Sequence, residues 1–225
     1  MATRVAPSDP GDYRRLQAAY QQSLRYADDV RRLYQQLQRS IFQSLLGLAN
    51  ALEAKDAYTR GHSERVAELS RRIAVALGLD SEDVAAVGEA GLLHDIGKIG
   101  VPESALGKPG PLTADEWQAM RRHPVIGAQI VAPFEFFARA APVIRHHHER
   151  WDGSGYPDGL AAHAIPLGAR IVAVADVFDA LTSTRPYRPA LHRSAALAYL
   201  TGEAGRTLDE HVVAACVDVV HAGAA

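Results

Sequence analysis

Leu167-Gly168-Ala169-Arg170-Ile171-Val172-Ala173-Val174-Ala175-Asp176-Val177-Phe178-Asp179-Ala180-Leu181 is apolar and unbroken apart from Gly168. It reads as a buried helix. Asp176 lies in its middle, among Ile171, Val172, Val174 and Val177. A bare carboxylate in such company is costly unless it is paired or ligates a metal. The stretch therefore assigns the Val/Ile content of the chain to helix and marks Asp176 as a residue with a polar partner. Asp179, one turn later, is expected to be a hydrogen-bond partner between packed helices. Elsewhere, too, the Val/Ile runs sit inside helical patterns, so the expected fold class is all-α.

Upstream lies a long irregular loop, residues 152–166, and before it the run His146-His147-His148-Glu149-Arg150-Trp151-Asp152-Gly153-Ser154-Gly155-Tyr156-Pro157. Adjacent histidines bury poorly unless each finds a polar partner, and neutral imidazole is the commonest metal ligand. Further ligand candidates lie at helix ends. His62 opens a helix, His94 and Asp95 end another, His123 sits at a helix break, and His147 and His148 end a third. Helix ends and faces of one bundle are the usual frame for a metal site between helices. Five imidazoles and two carboxylates, counting Asp176, are too many for one ion with an open position. Two ions bridged by Asp95 would use all seven. Nitrogen and oxygen ligands without thiolate suit Fe, Mn or Zn better than Ca or Mg. Two metals ~3.5–4 Å apart lower the pKa of a bound water toward ~7 and stabilise both oxygens of an in-line displacement. The chemistry implied is phosphoester hydrolysis.

Further out, helices are expected over residues 63–77, stopped by Gly78, and from Ser81 to the His94-Asp95 pair. Residues 102–111 read as a loop. Thr113-Ala114-Asp115-Glu116 is a capping-box pattern that starts a helix toward Met120. His123-Pro124 breaks it, residues 125–131 start another, and residues 134–144 lead into the histidines. The last two helices are expected over 194–200 and 209–220. Residues 1–12 form a loose tail, and residues 13–55 a long helix with a single glycine, Gly47. On it Ala27, Val30, Tyr34, Leu37 and Ile41 make a heptad-like stripe suited to a partner helix. The domain division is thus 1–44, tail and N-terminal helix, and 45–222, catalytic domain.

The 225 residues are 48% hydrophobic and 22% charged, enough for a packed core. A net charge of -2 argues against a polymeric nucleic-acid partner, while a metal site can still attract a small anion. Cys216 is the only cysteine and reads as a small buried hydrophobe. There is no signal-peptide pattern and no run of ~20 apolar residues, so a soluble, cytoplasmic protein is expected.

The order His62, His94-Asp95, His123, His147-His148, Asp152-Gly-Ser-Gly155-Tyr156-Pro157, Asp176 resembles the HD-GYP subgroup of the HD-domain metal-dependent phosphohydrolases. Tyr58-Thr-Arg-Gly-His62, Leu93-His-Asp-Ile-Gly-Lys98 and Ala175-Asp-Val-Phe-Asp-Ala-Leu181, followed by Arg185-Pro-Tyr-Arg188-Pro, agree with it. The resemblance implies an HD-domain helical bundle with an irregular Gly-Tyr-Pro loop and hydrolysis of cyclic di-GMP to linear pGpG, with slow passage to GMP. It implies one metal on His62, His94, Asp95 and Asp176 and another on Asp95, His123, His147 and His148. Fe or Mn come first, ahead of Zn, Ni, Co or Mg. Asp95 and Lys98 would be catalytic, and Lys98, Gly155, Tyr156, Arg185 and Arg188 would meet substrate, Tyr156 by stacking a base. Some members carry a glutamate four residues before the first histidine, where it helps bind a third metal. Tyr58 stands there in this chain, so two metals and pGpG as main product are expected.

His146 is set aside as a non-ligand. Glu149 either orients a ligating histidine or caps the loop, and Asp152 fixes the loop backbone, with contact to substrate as the alternative. His163, His192, His211 and His221 read as surface residues, and Trp117 and Trp151 as packing residues. Partners expected besides substrate are a second copy through the N-terminal helix and a regulatory protein. Another cyclic dinucleotide or nucleotide as substrate, or a messenger-binding adaptor without turnover, are the competing functions.

Overall fold

The computed structural model describes residues 10–55, 61–108, 110–184 and 189–223. Tyr58, Arg185 and Arg188 lie outside them. Helix α1 spans Pro10–Lys55. The chain divides into two compact units within it, Met1–Ser44 and Leu45–Ala225. In the first unit the described residues form one helix on which Tyr13, Leu16, Tyr20, Val30, Tyr34 and Leu37 are exposed.

The second unit is a helical bundle. Helix α2, His62–Ala76, buries Val66, Leu69 and Ile73 along one face, and Gly78 at φ 76 ends the turn that follows it. Glycine takes that left-handed conformation without a Cβ penalty. The first turn of α2 is capped from a distance. Glu53, on α1, accepts hydrogen bonds from the backbone N–H of Gly61 at 3.0 Å and of Ser63 at 2.8 Å. Helix α3, Ser81–Leu93, is N-capped by Asp80, whose side chain accepts from the backbone of Glu82 and Asp83. A 3-10 turn, Ile96–Gly100, follows.

Residues 102–111 hold a short helix, α4, Glu103–Leu106, rather than only a loop. Helix α5, Ala114–Met120, carries the full capping box between Thr113 and Glu116. Trp117 on α5 is 49% exposed, so it is not a packing residue. The expected break at His123-Pro124 is instead the first turn of α6, His123–Val131, because proline needs no hydrogen-bonded N–H there. Residues 134–144 are not one helix. A 3-10 turn, Glu135–Phe137, buries Phe137 and redirects the chain into α7, Ala140–His146.

Helix α8, Leu167–Thr182, is the central element. Ile171, Val172, Val174 and Leu181 are buried on it, each side chain contributing about 1.5–3 kcal/mol relative to exposure. It packs against α2, α3 and α7. Helices α9, Arg193–Glu203, and α10, Glu210–Ala222, close the far side, and α10 buries Cys216. Among the described residues there is no strand, only an isolated bridge between Ala204 and Leu208. Among these residues no helix is long and apolar enough to cross a membrane. The all-α bundle expected from the sequence is the architecture observed among the described residues.

Candidate metal centre

Four helix termini and the middle of α8 bring seven side chains together. Helix α3 ends at Leu93, and the backbone of Asp95 at φ -96, ψ 0 leaves the helix before the 3-10 turn. His94 and Asp95 thereby present adjacent side chains. The turn packs on α6 so tightly that a Cβ on Gly97 would lie 1.9 Å from the His123 carbonyl oxygen. That approach places Asp95 beside His123, with Asp95 Oδ1 3.4 Å from His123 Nε2 and Oδ2 3.6 Å from His94 Nε2.

The imidazoles share one constraint. His94 donates from Nδ1 to the Gly91 carbonyl at 2.8 Å, His123 to that of Met120 at 2.8 Å, and His147 to that of Ile144 at 2.7 Å. A carbonyl oxygen only accepts, so the proton sits on Nδ1 and Nε2 is left with its lone pair. His123 Nε2 and His147 Nε2 face each other at 3.4 Å. Two buried acceptors so placed repel unless a cation lies between or beside them. The His147 and His148 rings lie tilted at 42° with centroids 4.1 Å apart, and the His148 ring lies 5.0 Å from that of His123. Ligand atoms of His123, His147 and His148 lie within 4.8 Å of one another, as do those of His62, His94 and Asp95. The donor set fits divalent metal ions, and Asp95 turns one oxygen toward each half.

His62 bridges two carboxylates of α8. Its Nε2 lies 3.3 Å from Asp176 Oδ1, and its Nδ1 2.7 Å from Asp179 Oδ2. Burial opposes a charged His62, but the hydrogen bonds to Asp176 and Asp179 outweigh it and raise the group from 6.5 to about 10. Burial likewise opposes charge on Asp176, and the His62 hydrogen bond with the nearby His94 holds it well below the usual carboxylate range. Asp95 behaves alike: burial opposes its charge, while Lys98, His94 and His123 keep it ionised. His148 is pushed down to about 3, by burial first and then by His123. His147 is also pushed well down, by burial and then by His148. Both are neutral and ready to ligate across the physiological range.

Lys98 donates to Asp95 Oδ2 at 2.5 Å across the 3-10 turn. Tyr156 rests its ring 4.8 Å from His148 and 4.7 Å under the Arg121 guanidinium. Burial, then the charges of Asp95 and Asp176, raise its phenol, which stays protonated. Gly155 has no room for a side chain: a Cβ would meet Arg150 N at 2.4 Å and Glu149 Cα at 2.5 Å. Its place is to let the loop lie flat on residues 148–150. Glu149 caps that loop, accepting from the backbone N–H of Asp158, Gly159 and Leu160. Asp152 fixes the loop by accepting from Ser154 N and Oγ. His146 is held apart, with Nδ1 on the Pro142 carbonyl and Nε2 2.9 Å from Asp158. Sequence pattern alone does not single out Arg121 or Arg65, which reaches Asp179. Arg121 stands two residues before His123, and Arg65 three after His62, and that proximity is the only signal the sequence carries for them.

A family model described as HD domain matches residues 47–212. The chain belongs to the HD domain family. Together with its Gly-Tyr-Pro loop, its relatives place this HD domain in the HD-GYP group. The "Cyclic di-GMP phosphodiesterase response regulator RpfG" of Xanthomonas campestris pv. campestris is 48% identical over 185 residues, 81% of this chain and 48% of that protein. The "3'3'-cGAMP-specific phosphodiesterase 3" of Vibrio cholerae is 42% identical over 167 residues, 73% of this chain and 36% of that protein. The HD domain chain thus spans about half or less of the length of these curated relatives. The crystal structure of a cyclic GMP-AMP specific phosphodiesterase of V. cholerae matches the fold with a TM-score of 0.64 at 19% identity, covering 80% of this chain and 48% of that one.

Proposed function

We propose that this HD domain is a metal-dependent phosphodiesterase that hydrolyses cyclic di-GMP to linear pGpG. The observation that carries the reading is the opposed pair His123 Nε2 and His147 Nε2, with Asp95 turning one oxygen to each half of the cluster. His62, His94, Asp95 and Asp176 would hold one ion, and Asp95, His123, His147 and His148 the other, Fe or Mn before Zn, Ni, Co or Mg. Such a pair supplies Lewis acidity, bringing a bound water toward ionisation and offsetting phosphate charge.

The chain's own groups orient and bind. Asp95 stays ionised at working pH, and Lys98 beside it brings a cation to where a phosphate oxygen would lie. The protonated Tyr156 phenol is a hydrogen-bond donor at the rim, and its ring carries the neighbouring Arg121 as a second cation. Gly155 keeps the loop close to His148. Arg185 and Arg188 are proposed substrate contacts outside the described residues. Both carboxylate oxygens of Glu53 serve the first turn of α2, which supports a site of two ions rather than three. The buried Cys216 suits a reducing compartment, in keeping with the cytoplasm.

Protein purified without oxygen should contain two metal equivalents per chain and turn over cyclic di-GMP. Asp95→Ala should lose both properties, and retained turnover in that variant would refute the mechanism. pGpG should accumulate, with GMP appearing slowly; rapid stoichiometric GMP would overturn the two-ion reading. The relatives named for 3'3'-cGAMP favour one second reading, another cyclic dinucleotide as substrate. Turnover of cyclic di-GMP and 3'3'-cGAMP on one sample separates the two.

A further inference from the structure

His94, His123 and His147 are each oriented by a backbone carbonyl three residues back. His62 opens α2 and is held differently. Its Nδ1 is met instead by a side chain from a different helix, Asp179 Oδ2 at 2.7 Å. Asp179 is 6% exposed. A buried carboxylate needs its remaining acceptor sites filled. Arg65 does this, donating from Nε to Oδ1 at 2.6 Å and from Nη2 to Oδ2 at 3.1 Å, and Ser183 Oγ approaches Oδ2 at 3.3 Å. A guanidinium fork on a carboxylate fixes the plane of both. Asp179 in turn fixes the tautomer and tilt of His62, so that Nε2 points toward Asp176.

Resting on the two-ion reading, we infer that Asp179, clamped by Arg65, is the positioning residue for His62, and that this pair sets the affinity of one ion position and not the other. The other position draws its imidazoles from His123, His147 and His148, and backbone carbonyls rather than Asp179 hold Nδ1 of His123 and of His147. Carboxylates behind metal-bound histidines raise ligand basicity and hold the ring, and their loss weakens metal binding by about 10- to 100-fold.

The test is titration of the ion-free chain with Mn2+, followed by calorimetry and by the electron paramagnetic resonance spectrum. Wild type should bind two equivalents and show a spin-coupled pair. Asp179→Asn should bind one equivalent as wild type does and the second about 10- to 100-fold more weakly. At ion concentrations between the two affinities its spectrum should be that of an isolated ion. Arg65→Gln should show a smaller loss at the same equivalent, and Arg65→Lys should recover most of it. If Asp179→Asn does not fold, the Arg65 pair decides: a loss in Gln regained in Lys supports the inference. A wild-type titration in either Asp179→Asn or Arg65→Gln overturns it, even with a lowered melting temperature, and so does equal weakening of both equivalents. Wild type that fails to bind two ions overturns the two-ion reading itself, which is visible without any variant.

Discussion

His62 and His148 lie at opposite ends of the proton scale. His62 is raised to about 10, where burial is outweighed by Asp176 and Asp179, and His148 is lowered to about 3 by burial and then His123. In the ion-free chain the charge on His62 therefore stabilises the fold fully below its ordinary value of 6.5, and that contribution is lost as pH rises through about 10. Metal must displace that proton, whereas His148 has none to lose above about pH 5. Metal affinity should thus climb with pH from neutrality toward 10, with close to one proton released per chain at pH 8. Calorimetry in buffers of different ionisation enthalpy measures this; a heat independent of buffer would contradict it. The side chains proposed as ligands are legible in the sequence, because a carboxylate within an apolar helix and histidines at helix ends are costly to bury without a polar partner or an ion. Arg65 and Arg121 are not, because an arginine on an exposed helix face looks like any solvated charge until its partner from another element is seen.

Among the elements, the 3-10 turn and α6 approach most closely. A side chain at Gly97 would collide with the His123 backbone rather than with a movable side chain. Gly97→Ala should cost about 1–3 kcal/mol, read as a lower midpoint in urea, and should loosen metal binding as His123 shifts. Unchanged stability would mean that the turn can give way. Asp80→Ala removes the α3 cap and should cost about 0.5–2 kcal/mol without altering metal content. The capping box at Thr113 and the helix over 167–181 could be read directly, since each is encoded within a few residues. The α4 turn, the bend at Phe137 and the exposure of Trp117 could not. Each depends on which distant surface is available to pack against, and local pattern carries none of that.

For the molecule as a whole, the heptad-like stripe on α1 leaves Val30, Tyr34 and Leu37 exposed. We propose that it pairs with the same stripe of a second copy. Sedimentation of the full chain should give a dimer, and Val30→Glu with Leu37→Glu a monomer that keeps its metal. A monomeric parent chain would end that reading.

On the two-ion reading, the opposed nitrogens of His123 and His147 tie folding to metal supply. Two lone pairs pressed together in the interior are a local conflict that the rest of the bundle must hold in place. An ion that relieves the conflict would bind the native chain more tightly than the unfolded one, adding up to about 2.7 kcal/mol when its concentration is 100 times its dissociation constant. The amount of folded protein in a cell would then follow the cell's metal stock, and scarcity would remove the protein by unfolding it as well as by emptying its site.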